Sequence, residues 1–178
     1  YDTVSDQMKL LRRYRFGEFH KRYVAFHRSR GDEVKDEYSP RLDTRWMDEV
    51  RDADFETSMT SMRMALGEHV EKVGVVTMLK GGIAALRVLS DDGLLAPTFN
   101  TLGNEEIVAA WLAAIDATEA SLEVPGAHIS LERTMQRIQA ANSDTIGLPE
   151  GVLWREFTDG AMDELDRFSQ VIWPYEFE

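Results

Sequence analysis

The sequence predicts an all-α fold, a single-domain irregular bundle of about six to eight helices that opens on a long basic N-terminal helix. Three observations carry this expectation. Apolar residues recur at three- and four-residue spacing along most of the chain, the signature of helices with one buried face. The one run rich enough in β-branched residues to be a strand, VGVVTML at 73–79, has no second run to pair with. The length of 178 residues lets roughly 70% of the unfolded chain's surface be buried, so neither a disulfide nor a metal is needed to hold such a bundle.

Each element follows from local pattern. Residues 3–29 read as one long helix or two abutting ones. Thr3 is the expected N-cap, with Asp6 at the third helical position. Val4, Met8, Leu11, Phe19 and Phe26 share one face at about 100° per residue. Gly17 marks a bend, and Gly31 stops the helix. The polar stretch GDEVKDEYSP at 31–40 is a loop. Leu42, Trp46 and Val50 fit a short helix, and Asp54 caps another that carries Phe55, Met59, Met62 and Leu66 up to Gly67. Residues 70–79 read as helix for want of a partner strand. Lys80-Gly81-Gly82 reads as a tight connection, lacking the spacing of a phosphate loop. A helix from Ile83 to Ser90 ends at Asp91-Asp92-Gly93.

The clearest helix spans 104–122. Asn104 is its N-cap, Glu105 and Glu106 complement its dipole, and Ile107, Trp111, Ala114, Ile115, Thr118 and Leu122 form its buried face. Pro125-Gly126 ends that segment. Leu131, Met135 and Ile138 make a narrow stripe on a helix from Ser130 to Ala141, and NSDTIGLPEG at 142–151 is a loop. A short helix at Val152–Phe157 leads to a last one over Asp159–Trp173, with Ala161, Leu165, Phe168 and Ile172 inward. Pro174 stops it. No 20–50-residue repeat is present.

Charge divides the chain into a basic head and an acidic body. Residues 1–30 hold eight Lys or Arg against three Asp or Glu, a net of +5; residues 31–178 hold 12 against 29, a net of −17, and together these give the overall −12. The expected organisation is therefore a basic amphipathic helix or arm (1–30), an acidic helical body (31–173) and a short aromatic and acidic tail (174–178). The acidic body repels nucleic acid and anionic lipid. There is no apolar run of about 18 residues, so no membrane insertion is expected. The chain begins at Tyr1 and not at Met, which reads as trimming or processing, so no targeting peptide can be judged. The absence of cysteine removes disulfides, thiol catalysis and Cys-ligated metals, and it favours a reducing compartment, the cytoplasm or an organelle interior.

No catalytic constellation stands out. His20 and His27 lie seven residues apart, about 10.5 Å along a helix axis, too far to share a metal at ~2.1 Å per bond. No Glu-x-x-His pair supports a di-iron bundle. DADFE at 52–56 begins like a calcium loop, but Thr57 and Arg63 stand where Gly and Glu are required. There is no nucleophile elbow. No cofactor and no metal is expected.

Three function classes follow. The favoured one is a non-catalytic helical subunit or accessory protein of a larger assembly, with other protein subunits as its partners. Its partner-binding residues are Arg12, Arg13, Lys21 and Arg28 on the basic helix and Tyr175 and Phe177 on the tail, both expected to be exposed. Phe16, Tyr14 and Trp173 also look like exposed aromatics, although for the tail the favoured reading is that Trp173 packs on its own chain. The alternatives are an acidic inhibitor, antitoxin or chaperone for a basic protein, and an enzyme with an unrecognised site. Nucleic acid is a disfavoured partner, through residues 9–30.

Overall fold

Every regular element among the described residues is helical in the computed structural model, which describes residues 3–34, 38–68, 73–91, 93–126, 128–165 and 170–177. The eight α-helices are α1 (Thr3–Tyr14), α2 (Phe16–Ser29), α3 (Trp46–Glu49), α4 (Phe55–Glu68), α5 (Val75–Ser90), α6 (Glu105–Leu122), α7 (Leu131–Asp144) and α8 (Glu150–Met162), with 3-10 turns at Pro40–Asp43, Asn100–Gly103 and Pro174–Phe177. The expected all-α bundle is what is found. Contacts group the helices into two compact units, Tyr1–Glu49 and Val50–Glu178.

In the first unit, the basic segment is two helices. The break falls at Arg15, whose φ of −144° and ψ of 59° leave the helical region. This one residue changes the phase of the buried face. Leu10, Leu11 and Tyr14 are buried on α1, but α2 buries Val24 and leaves Phe26 55% exposed. The expected common face through Phe19 and Phe26 is therefore corrected: counting 100° per residue through a non-helical residue assigns α2 to the wrong side. Tyr14 is also not the exposed aromatic expected from sequence, since its ring packs edge-on to Trp46, with centroids 5.7 Å apart. The expectation for Val4 concerns a side chain outside the described residues.

Gly17 sits in the first turn of α2. Its amide, left without a backbone acceptor by the break, donates to Asp43 Oδ1 at 2.7 Å. Arg15, in the N-cap position, makes no side-chain cap bond, so the cap comes from a residue 26 positions away. A carboxylate suits the positive end of a helix dipole. A Cβ on Gly17 would lie 3.1 Å from the Tyr38 hydroxyl and 3.2 Å from Asp43 Oδ1, so glycine here permits the approach of Asp43.

In the second unit, α5 and α8 form the central pair, with α4 against α8, α6 against α5, and α7 beside α6. Asp54 caps α4 as expected, accepting from the Thr57 amide at 2.7 Å. Asn104 caps α6, accepting from Glu106 and Ile107, and Ser130 caps α7. Gly31, Gly93, Gly126 and Gly147 have positive φ, where glycine meets no Cβ penalty. The Asn142 side chain brackets the following loop, donating to the Leu148 carbonyl and accepting from its amide.

Two expectations change in this unit. Lys80-Gly81-Gly82 is not a connection: it lies inside α5, and Gly81 and Gly82 are buried there. The last helix does not run over Asp159–Trp173. One helix, α8, covers Glu150–Met162, Ile172 is 54% exposed, and the expectation for Phe168 lies outside the described residues. Nearly every residue of α8 is buried, Arg155 and Glu156 included. The charged side chains of Arg155 and Glu156 thus lie on an almost wholly enclosed helix.

Candidate functional site: a cationic cleft in the first unit

The break at Arg15 and the clamp at Asp43 shape a cleft. Lys9, Arg12 and Arg13 reach it from α1, Phe16 from the start of α2, Leu42 from the 3-10 turn, and Arg45 and Glu49 from α3 and the residue before it; this half-open cleft has a volume of about 340 Å³. Arg45 Nε pairs with Glu49 Oε1 at 2.8 Å, and Lys9 Nζ with Asp6 Oδ1 at 3.4 Å. Arg12 is exposed, and Arg13, Phe16 and Leu42 are half-buried. Four cations, two of them paired with Asp6 and Glu49, thus line one cleft with Phe16 and Leu42 in a protein of net charge −12.

Beside the cleft, α2 carries a row of closely spaced rings. Phe16 and Phe19 have centroids 5.8 Å apart, Phe19 and Tyr23 5.9 Å, and Tyr23 and His27 4.4 Å. The Arg30 guanidinium lies over Phe26 at 5.4 Å. His20 stacks against Tyr38, and His27 Nδ1 meets Asp32 Oδ2 at 2.8 Å. The two histidines are spent on these local contacts. On the same helix Arg22 bonds to Glu18 and holds that carboxyl below its usual range.

The Tyr38 hydroxyl donates to Asp43 Oδ2. That bond holds the neutral phenol and raises its pKa above the usual 10.0. A raised folded-state value means that the stabilisation is fully present below about pH 10 and is lost as pH rises through the folded-state pKa. In an ultraviolet titration, one tyrosine should ionise later than the free phenol. Asp43→Asn should bring that step back to the ordinary range; an unchanged titration would show that the Tyr38–Asp43 bond does not form in solution.

Of the six partner-binding residues expected from sequence, the cleft brings together Arg12 and Arg13. Lys21 and Arg28 are exposed on α2 and do not line it. Lys9, Arg45, Leu42 and Glu49 were missed as site residues. Lys9 was visible in the basic count. Arg45 and Glu49 carried the signal of an i, i+4 ion pair, but nothing local says that residues 42–49 fold back beside α1.

In the tail, Trp173 packs on its own chain, the reading favoured for it, and is 1% exposed. Its Nε1 donates to Asp159 Oδ1 at 2.9 Å, and the Arg155 guanidinium lies over its ring at 5.0 Å. Arg155, its side chain 8% exposed, also pairs with Asp159 at 3.1 Å and Glu176 at 2.9 Å. Tyr175, expected to be exposed, is half-buried; the expectation for Phe177 concerns a side chain outside the described residues. Arg155 holds the tail because a buried guanidinium must be paired. Removing residues 174–178 takes away a hydrogen bond between charged groups, so stability should fall by about 1.5–3 kcal/mol. Chemical denaturation measures this, and a loss near zero would mean that the tail is free to dock elsewhere.

Elsewhere, Arg63, Lys80 and Arg87 are matched to acids. Lys80 pairs with Glu123 at 2.5 Å; this bond raises the lysine pKa and lowers that of the carboxyl. Arg87 bridges Asp116 and Glu119. Among the described residues, no group of three His, Asp or Glu side chains could hold a metal, and no helix is long and apolar enough to cross a membrane. Set against protein-family models, curated proteins and solved structures, the chain matches none of them.

Proposed function

We propose that this protein is a non-catalytic helical component of a larger protein assembly, docking an acidic protein surface through the basic face of its first unit. The cleft that gathers Lys9, Arg12, Arg13 and Arg45 carries this reading. Exposed ion pairs contribute only ~0–1 kcal/mol each, so internal stability is a weak reason to collect four cations in one place. Guanidinium groups suit carboxylates, which they bind with two parallel hydrogen bonds. The adjoining rings of Tyr23 and Phe26, 41% and 55% exposed, supply the amphipathic surface typical of interfaces. A protein partner is favoured over nucleic acid because residues 50–178, with nine Lys or Arg against 22 Asp or Glu, oppose a polyanion at close range.

The test replaces Arg12, Arg13, Lys21 and Arg28 together with Gln and compares native mass and retained partners at low and high salt. Retention and its salt sensitivity should fall. The melting temperature should move by less than about 4 °C, since ~1 kcal/mol shifts a chain of this size by about 2–4 °C. A collapse in melting temperature with partner retention unchanged would show that the basic residues serve only their own fold.

A further inference from the structure

The cleft is larger and less purely cationic than a bare anion requires. At about 340 Å³ it has room for ~10 waters at their liquid volume, near the small end of ligand pockets. Its lining includes an apolar part, Phe16 and Leu42, and the Glu49 carboxylate, which is paired with Arg45. A phosphate would leave the apolar part wet and meet Glu49 as a like charge. A nucleic acid strand needs a continuous cationic track, which Glu49 interrupts. An acidic peptide uses all three features. Its carboxylates meet Lys9, Arg12, Arg13 and Arg45, an apolar side chain covers Phe16 and Leu42, and its backbone N–H groups donate to Glu49.

We infer that the cleft is a recognition site for an acidic peptide segment in which an apolar side chain is flanked by carboxylates. This deepens the docking reading and rests on it for the class of partner. The geometry assigns Arg12 and Arg45 to the carboxylates from opposite walls, α1 and the approach to α3. Phe16 and Leu42 select the apolar residue, and the arginine break at residue 15 together with the Asp43 clamp holds the two walls apart.

Calorimetric titration of the full chain at low salt tests this with the blocked hexapeptide Glu-Glu-Leu-Leu-Glu-Glu. The comparison probes are the same peptide with Ser for Leu, inorganic phosphate and a short oligothymidylate. Saturable binding of the hexapeptide is expected, at least about tenfold weaker in Arg12→Gln/Arg45→Gln, which removes two charged donors. The Ser peptide should bind several-fold more weakly, as should Leu42→Asn with the Leu peptide. Arg133→Gln, an exposed cation of the other unit, should change nothing. Absence of saturable hexapeptide binding overturns the proposal, as does phosphate or oligothymidylate binding as tightly, or the Ser peptide binding equally well. The two readings fail separately. Arg12→Gln/Arg45→Gln that abolishes peptide binding but leaves partner retention intact sinks the docking function and not the cleft; lost retention with no peptide binding does the reverse.

Discussion

Gly160→Ala and Gly81→Ala should each destabilise the protein by about 1–2 kcal/mol, the ~1–3 kcal/mol of added volume in a closed interior less the ~0.5–1 kcal/mol by which a helix favours Ala over Gly. The cause is the contact between α5 and α8. A Cβ on Gly81 would fall 2.5 Å from the Gly160 carbonyl oxygen, and one on Gly160 would fall 2.8 Å from the Gly81 carbonyl oxygen and against the Ala85 methyl. Carbonyl oxygens cannot rotate away as a side chain can, so the helices must separate. Gly82 adds to this, since a Cβ there would meet the Phe157 carbonyl oxygen at 2.7 Å. Helix propensity acts the other way, because Gly inside a helix costs about 0.5–1 kcal/mol relative to Ala. The steric term is larger, so the sign is a net loss. The double variant should lose less than the sum of the singles, since helices already pushed apart by one methyl accommodate the next. Urea unfolding of the three variants measures this. A stabilising Gly160→Ala would mean that propensity wins and the close contact is absent.

Trp111→Ala should cost about 3–5 kcal/mol, the loss expected for deleting a fully buried aromatic. Trp111 is fully buried, and its Nε1 donates to Ser90 Oγ at 2.7 Å while that hydroxyl donates to the Leu86 carbonyl at 2.8 Å. The indole thus ties α6 to the C-terminal end of α5. Trp111→Phe keeps most of the apolar area and loses the hydrogen bond, worth about 1 kcal/mol, so it should fall well short of the Ala loss. A loss below ~1 kcal/mol for Trp111→Ala would place the indole at the surface.

What could be read locally was read well. The caps of α4 and α6 each depend on one Asp or Asn followed by amides two or three positions on, and a window of four residues contains everything needed. The face of α6 through Trp111, Ile115, Thr118 and Leu122 is equally local, because no break interrupts its period. The face of α2 failed for the same reason that α6 succeeded: Arg15 resets the phase, and its dihedrals are stabilised by a cap from Asp43 that no local window includes.

The sequence by itself determined the helical class, the separation of a basic head from an acidic body, and the ends of α4 and α6, since each arises from composition or from interactions within a few residues. The tertiary structure alone decided that Gly81, Gly82 and Gly160 are a packing surface, that Arg155 is buried and holds Trp173 and Glu176, and that Arg45 joins Arg12 and Arg13 around one cleft. In each case the deciding energy lies between residues far apart in the chain. A glycine that lets two backbones meet looks from sequence like a turn. A charged residue that is buried because it is paired looks like a solvated face. The cleft depends on two walls far apart in sequence, beside which the Asp43 carboxylate holds the amide of Gly17.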